Sequence, residues 1–377
     1  MTDPFPREVY VAGVGMTAFG RHEGKHVAEL GQQAVKAALA DAGLDYAAVE
    51  IAYCGHVQQG VTAGQKVLYG VGMTGIPIFN VENACASGTS ALRAAAMAVG
   101  FGIAKVALAV GFEVMGRGAI PTGGDERLEA LARAGAPAMP SMFASLFQQH
   151  SQRYGTTVEQ MAMVSVKNRR YGAMNPRAQF HDPVGIDDVM RSRVVAPPLR
   201  LMMCCPTSSG AAAAVITSGD VARATRRPIR MVASALQSDP ALNGADSLAG
   251  ITEINSRVMR AAYEQAGIGP DQLDCAEVHD CFSIAEIIHY ENLGLCARGE
   301  GGRFIEQGMA KARVHVSTSG GLLAKGHPLG ATGIAQAVEA VEQMRGESGE
   351  RQVSNARIAL THCQGFGGAA GVHIFAA

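Results

Sequence analysis

Residues 37–52 read AALADAGLDYAAVEIA, and residues 261–276 read AAYEQAGIGPDQLDCA. Position 261 lies 224 residues after position 37, and at that offset Ala37 falls on Ala261, Ala42 on Ala266, Gly43 on Gly267, Leu44 on Ile268, Val49 on Leu273 and Ala52 on Ala276. Each copy reads as a helix closed by a glycine where a left-handed C-cap belongs, then a turn, then a short apolar strand. Each is followed by a strand, a loop and a small-residue helix, SGTSALRAAA from about residue 86 and GATGIAQAVEA from about residue 329. A repeat of this kind predicts two homologous halves, 1–226 and 227–377.

Outward from the repeat, strands and helices alternate. VYVAGVG from Val9 reads as a strand, 26–42 as a helix and 49–54 as a strand. Residues 77–81 lead into the helix near 86, and 105–111 form a continuous apolar strand of the kind buried on both faces. This alternation predicts a layered α/β protein with a largely buried sheet. Between about 117 and 198 the texture changes to more charge, more Met and Gln, and turn signals such as PTGG and MNPRAQFHDP. We read an inserted, mostly helical subdomain there. Buried texture returns near Met202 with CCPTSSGAAAAVI.

Composition narrows the class. A chain of 377 residues carries 32 Lys+Arg against 33 Asp+Glu, so nothing grips a polyanion and no nucleic-acid partner is expected. Aromatics are 5% with no Trp, which leaves no base-stacking platform. Apolar residues at 48% and charged residues at 17% exclude disorder. Eight cysteines make no disulfide scaffold, and MTDPFPREVY has no basic and apolar leader pattern, so a reducing, cytoplasmic setting is expected. The most apolar stretch, 94–104, falls short of the ~18 residues of a membrane span and reads as a buried helix.

Four constellations carry chemistry. In ENACASGTSAL, Cys85 sits at a strand-to-helix turn, where unpaired N–H groups and the helix dipole favour thiolate. Its plain alternative is a buried structural cysteine. GGLLAKGHPLGATG carries His327 in a Gly/Pro frame that fixes an unusual backbone, and His is the natural acid/base near neutral pH. In AEVHDCFS, an extended backbone puts His279 and Cys281 on one face. THCQGFGGAAG places Cys363 and Gly365 at the end of an apolar strand, in a loop suited to presenting backbone N–H groups.

Rival motifs fail on detail. Gly13-x-Gly15-x-x-Ala18 follows a strand, but no acidic residue ends the next strand to hold a ribose. GLLAKGH lacks the Gly-Lys-Ser/Thr of a P-loop. Cys204, Cys205, Cys275, His279 and Cys281 contain no Cys-x-x-Cys knuckle, so no metal site is expected. The run Lys167-Asn168-Arg169-Arg170 reads as a solvated helix face, with a phosphate-bearing ligand as the alternative.

These constellations, in this order on a duplicated chain, resemble the thiolase superfamily over essentially the whole length. NACASGTSAL is similar to its nucleophile motif and GHPLGATG to its most specific signature. HDCF, where many thiolases have Asn-Glu-Ala-Phe, resembles the sterol-carrier-protein type, as do CCPTSSGAAAAVI and KNRRYGAMNPRAQF. The resemblance implies two βαβαβαββ halves in five α-β-α-β-α layers with a loop domain inserted in the first. It implies an acyl-cysteine intermediate on Cys85, with His327 as its base and a second cysteine moving the substrate proton. That cysteine is Cys281 in the sterol-carrier type and Cys363 in the common biosynthetic type; the HDCF context favours Cys281. His279 would help form one oxyanion hole, and the N–H groups of Cys85 and Gly365 the other, with Gly326 beside the substrate.

The implied reaction is cleavage of a 3-oxoacyl-CoA, or its reverse condensation, with coenzyme A as co-substrate and no permanently bound cofactor. Two other readings stand beside it: a subunit active only with a small zinc-ribbon/OB-fold partner that helps bind CoA, and a retro-aldol lyase on the same fold. A homodimer or homotetramer is implied. On the insertion, Met139, Met142, Phe143 and Phe147 are candidates to line the acyl pocket.

Overall fold

In the computed structural model, which describes residues 5–116, 126–240, 247–308 and 312–377, the repeat becomes a symmetry of the sheet. The first half runs β1 (Val9–Met16), α1 (Val27–Ala42), β2 (Ile51–Gly55), α2 (Ala63–Tyr69), β3 (Ile78–Val81), α3 (Ser87–Gly100) and β4 (Val106–Glu113). The inserted region follows, with α4 (Glu126–Arg133), α5 (Ala138–Tyr154), α6 (Val158–Ala173), α7 (Ile186–Arg191) and the hairpin β5 (Val194–Ala196) and β6 (Leu199–Arg200); its opening residues 117–125 lie outside the described ones. Then β7 (Gly210–Ser218) and the single turn α8 (Gly219–Ala222) close the half. The second half runs β8 (Ile229–Ser238), α9 (Ser247–Ala266), β9 (Cys275–Glu277), α10 (Ser283–Asn292), α11 (Gly301–Glu306), β10 (His315–Val316), α12 (Gly321–Ala324), α13 (Thr332–Arg345), β11 (Ile358–Gly365) and β12 (Ala369–Ala376).

The strand order is β10-β9-β11-β12-β8-β1-β7-β4-β2-β3. Read outward from the middle, β1-β7-β4-β2-β3 matches β8-β12-β11-β9-β10. The hands agree too: β2 is parallel to β3 and β4, as β9 is to β10 and β11, while β7 and β12 are antiparallel to both neighbours. β1 and β8 join the halves antiparallel at Tyr10–Val11 and Ile229–Arg230. The two repeat copies end alike. Gly43 and Gly267 have φ of +67° and +66°, and the next residues, Leu44 and Ile268, donate back to Leu39 and Tyr263 at 3.1 and 3.2 Å, as a Schellman stop requires.

Period-two alternation then builds the layers. Ala211, Ala213 and Val215 of β7 face a core shared with α1 and α2, while Ala212, Ala214 and Ile216 face the central helices. Leu108 and Val110 of β4 divide from Ala107 and Ala109 in the same way. α3 and α13 lie between the two half-sheets, α13 touching β1 and β7 on one side and β9 and β11 on the other. α9 covers the far face of β8 and β12. The result is the five-layer α-β-α-β-α stack. Gly13 and Gly15 belong to it: a Cβ on Gly13 would stand 2.3 Å from the Ala38 carbonyl oxygen, so these glycines serve the packing of α1 on β1.

Two local expectations change. The helix expected near 329 begins at Thr332, because Pro328 to Ala331 form a turn, with Ala331 N–H donating to the Pro328 carbonyl at 3.0 Å. The inserted region belongs to the first half in sequence but to the second in packing: Phe143, Leu146, Phe147, Met161 and Val164 share a core with α9, α10 and Phe282.

Candidate active site

The site forms where strands of both halves end. Cys85 follows β3 in a tight turn that puts Ala84 at φ +47°, with the Ser87 hydroxyl accepting the Asn83 N–H at 2.9 Å and α3 starting at once. His279 and Cys281 follow β9, His327 follows α12, and Cys363 and Gly365 end β11. These separate pieces converge. Cys85 Sγ, a ring nitrogen of His279 and a ring nitrogen of His327 all lie within 4.8 Å of one another. The two imidazoles meet edge to face with centroids 5.1 Å apart.

Hydrogen bonds assign the His327 tautomer. Its Nδ1 lies 2.7 Å from Thr332 Oγ1, and the Thr332 hydroxyl donates its one hydrogen to the Pro328 carbonyl at 2.9 Å. Thr332 therefore accepts from His327, so Nδ1 carries the proton and Nε2 offers a lone pair. The main chain is fixed as well, the His327 N–H donating to Ser208 Oγ at 3.0 Å. Burial, with His279 and Lys325 adding, holds the His327 imidazole well below the ordinary range; burial takes His279 down to about 3. Both rings are neutral at pH 7.

Cys85 departs from the expectation of a preformed thiolate. Burial pushes its thiol up to about 12; the Phe366 N–H lowers it, and the Glu113 and Glu82 carboxylates raise it further. One helix N-terminus does not outweigh desolvation here. At rest Cys85 is a thiol beside a neutral imidazole.

The two candidate second cysteines differ in placement. Cys363 is fully buried; its Sγ donates to the Cys85 carbonyl at 3.0 Å and lies 3.4 Å from His279 Nδ1. Cys281 lines the cavity above Cys85. The strand ends at Glu277, yet the alternation continues past it, with His279 and Cys281 on the cavity and Asp280 turned away. Gly365 comes so close to the Cys85 turn that a Cβ would stand 2.1 Å from the Asn83 carbonyl oxygen. Gly326, at φ +113°, faces Ser208 behind His327 rather than the cavity.

Residues to which the motifs assigned no chemistry hold these loops. Glu113, at the end of β4, accepts from Val57 N–H (3.0 Å), Gln58 N–H (2.9 Å), Gln59 Nε2 (2.7 Å) and Gly330 N–H (2.9 Å). It thereby ties the GHPLG turn to the first half. Asp280 accepts from Leu322 N–H (2.7 Å), Leu323 N–H (3.3 Å) and Asn168 Nδ2 (2.7 Å), tying HDCF to α12. Asn168 also donates to Glu286 at 2.7 Å, and Lys167 pairs with Glu286 and donates to the Val316 carbonyl at 2.7 Å. This corrects the solvated-face reading at Lys167 and Asn168, which are buried, and at Arg169, which lies on the Phe180 ring; Arg170 is exposed, as that reading expects. The pattern failed because helical spacing alone does not say which side another loop covers.

A cavity of about 920 Å³ opens over Cys85. Its apolar wall is Met139, Met142, Phe143 and Leu146 on one face of α5, with Ile251 and Phe282 opposite; the Phe143 and Phe282 rings stack at 4.4 Å. Phe147 lies in the core beneath, and Leu146 takes its expected place. Cys204, Cys205 and Arg193 line the same cavity, whereas Cys275 faces the central helices. Among the described residues no helix is long and apolar enough to cross a membrane.

Comparison with known proteins gives the family. A family model described as the thiolase N-terminal domain matches residues 9–220, and one described as thiolase C-terminal domain-like matches residues 239–377. Sterol carrier protein 2 of Rattus norvegicus is 38% identical over 398 residues, spanning 100% of this chain and 73% of that protein. An acetyl-CoA acetyltransferase of Methanothermobacter thermautotrophicus is 42% identical over 386 residues, spanning 98% of this chain and 99% of that one. The solved Ltp2-ChsH2(DUF35) aldolase superposes with a TM-score of 0.85 at 27% identity, covering 99% of this chain and 98% of that chain.

Proposed function

Because the chain belongs to the thiolase family, we propose that it is a thiolase-type acyltransferase that cleaves a 3-oxoacyl-CoA with coenzyme A or runs the reverse condensation. One observation carries the reading: a neutral His327, its Nε2 lone pair set by Thr332, lies within 4.8 Å of the Cys85 thiol at the floor of a deep cavity. A carbonyl carbon entering there, the 3-oxo carbon in cleavage or a thioester in condensation, meets a nucleophile and its base together. In the cleavage direction His327 takes the Cys85 proton and the thiolate adds to the 3-oxo carbon. The bond between the α and β carbons then breaks, and the α-carbon leaves with a proton. The acyl group stays on Cys85 until the sulfur of coenzyme A displaces it.

We assign the proton at the α-carbon to Cys281, because its thiol lines the cavity while that of Cys363 is spent behind it on the Cys85 carbonyl and His279. His279 and backbone N–H groups near Cys85 and Gly365 hold the developing oxyanions. The Met/Phe wall suits an apolar acyl group. A homodimer is our reading of the assembly; β3 ends the sheet as an edge strand with Phe79 half exposed, and Met73 and Val61 of the first half are exposed as well.

The likeness to the Ltp2-ChsH2(DUF35) aldolase supports a second reading, a retro-aldol lyase or a subunit that needs a small zinc-ribbon/OB-fold partner. One experiment separates them. The intact mass is measured after brief incubation with acetyl-CoA, with Cys85→Ala as control. One acetyl group gained by the wild type and none by the variant is expected. No gain by either, with turnover of a β-hydroxyacyl-CoA in the absence of free CoA, establishes the lyase. A gain that appears only when the partner is added establishes the subunit.

A further inference from the structure

The three side chains at the floor of the cavity are also a ligand set. A thiol sulfur and two imidazole nitrogens, mutually within 4.8 Å, form the one such group of three or more among the described residues. A tetrahedral Zn²⁺ holds nitrogen at about 2.0–2.1 Å and sulfur at about 2.3 Å, so its ligands stand roughly 3.3–3.6 Å apart. Closing the trio to that geometry takes movements of about 1 Å, within the reach of small χ rotations.

We propose that Cys85, His279 and His327 form a Zn²⁺ site with three protein ligands and a fourth position open to the cavity. One sulfur and two imidazoles are a borderline-soft set that suits zinc over magnesium or calcium. The outer shell is already of the kind that orients metal-binding histidines: Thr332 holds His327 Nδ1, and Cys363 lies against His279 Nδ1. Neither ring has to give up a structural bond for its other nitrogen to turn to an ion.

Charge is balanced at the site. Binding releases the Cys85 proton to solvent and forms one Zn–S and two Zn–N bonds, with no change of oxidation state. The resulting centre carries one net positive charge. The buried carboxylate of Glu113 interacts with Cys85 and offsets that charge, as does Glu82 at the turn before it; Lys325 on the His327 side opposes them. The ion and an acyl group cannot share the Cys85 sulfur, so zinc and acyl-CoA exclude one another. The site exists whether the chain transfers acyl groups or cleaves an aldol.

The test needs no assay of activity. Metal-free full-length protein is titrated with Zn²⁺ by calorimetry and with Co²⁺ by absorbance. We expect one ion per chain and a thiolate-to-cobalt charge-transfer band that Cys85→Ser abolishes. Thr332→Val weakens binding by roughly 10–100-fold, the usual effect of removing an outer-shell partner. Wild-type protein gives an independent readout: one equivalent of Zn²⁺ protects Cys85 from alkylation in a peptide map, with Cys54 as a buried reference and Cys204 as a half-buried one outside the ligand set. Absence of stoichiometric binding, a cobalt band that survives in Cys85→Ser, or unchanged alkylation of Cys85 would each overturn the proposal.

Discussion

A single hydroxyl, that of Thr332, decides which nitrogen of His327 carries the proton and which offers a lone pair. Thr332→Val keeps the shape and removes that control, so kcat should fall by about 10–100-fold with little change in KM, measured in steady-state kinetics with acetoacetyl-CoA. Cys281→Ala should abolish exchange of the α-protons of acetyl-CoA with deuterated water. Cys363→Ala should only slow it, and abolition by Cys363→Ala alone would reverse the assignment. Cys85 and His327 were legible because short motifs of glycine, proline and small residues frame them. Thr332 lay inside a quoted motif without a visible role, since the bond it makes depends on the turn at Pro328. The thiol state of Cys85 is not legible in the sequence, which shows a helix start and not the depth of burial around it.

At the scale of elements, the site is held by carboxylates that collect N–H groups from different loops. Glu113 joins β4 to the loop after β2 and to the turn before α13. Glu113→Gln places an amide donor among N–H donors, and should cost about 1–3 kcal/mol in urea denaturation and lower kcat by displacing His327. An unchanged midpoint would mean that the loops hold themselves. The elements themselves were legible from periodicity: α1, the β4 strand and the paired Schellman stops follow directly from spacing and glycine placement. Asp280 and Asn168 were not, because a polar residue in a loop and another on a helix announce no partnership until the fold brings them together. The same limit hid the burial of Lys167.

For the molecule as a whole, His373 is a measure of how tightly the halves close. It sits on β12, with Nδ1 3.1 Å from Ser234 Oγ on β8 and Nε2 3.2 Å from the Thr89 carbonyl on α3. Burial, with Arg93 adding, lowers it to about 3. An unfolded histidine takes its proton near 6.5. Between those values the unfolded chain binds more protons, so stability falls as pH drops below about 6.5, by up to about 1.4 kcal/mol per unit for this group. Thermal melts at pH 5 and 7 should show that loss, and His373→Gln should reduce the difference. The duplication was legible in six aligned positions because helix stops and buried strands tolerate few residue types. The insertion's place over the second half was not, since packing partners distant in sequence leave no local pattern. The convergence of Cys85 from one half with His279, His327 and Cys363 from the other also sets a clock on synthesis. His327 lies 242 residues after Cys85. At about 5–20 residues per second, the ribosome leaves Cys85 without His327 for roughly 12–50 s. Over that interval a nascent first half carries Cys85 without any of the three side chains that will face it, so their meeting reports a chain translated through and folded.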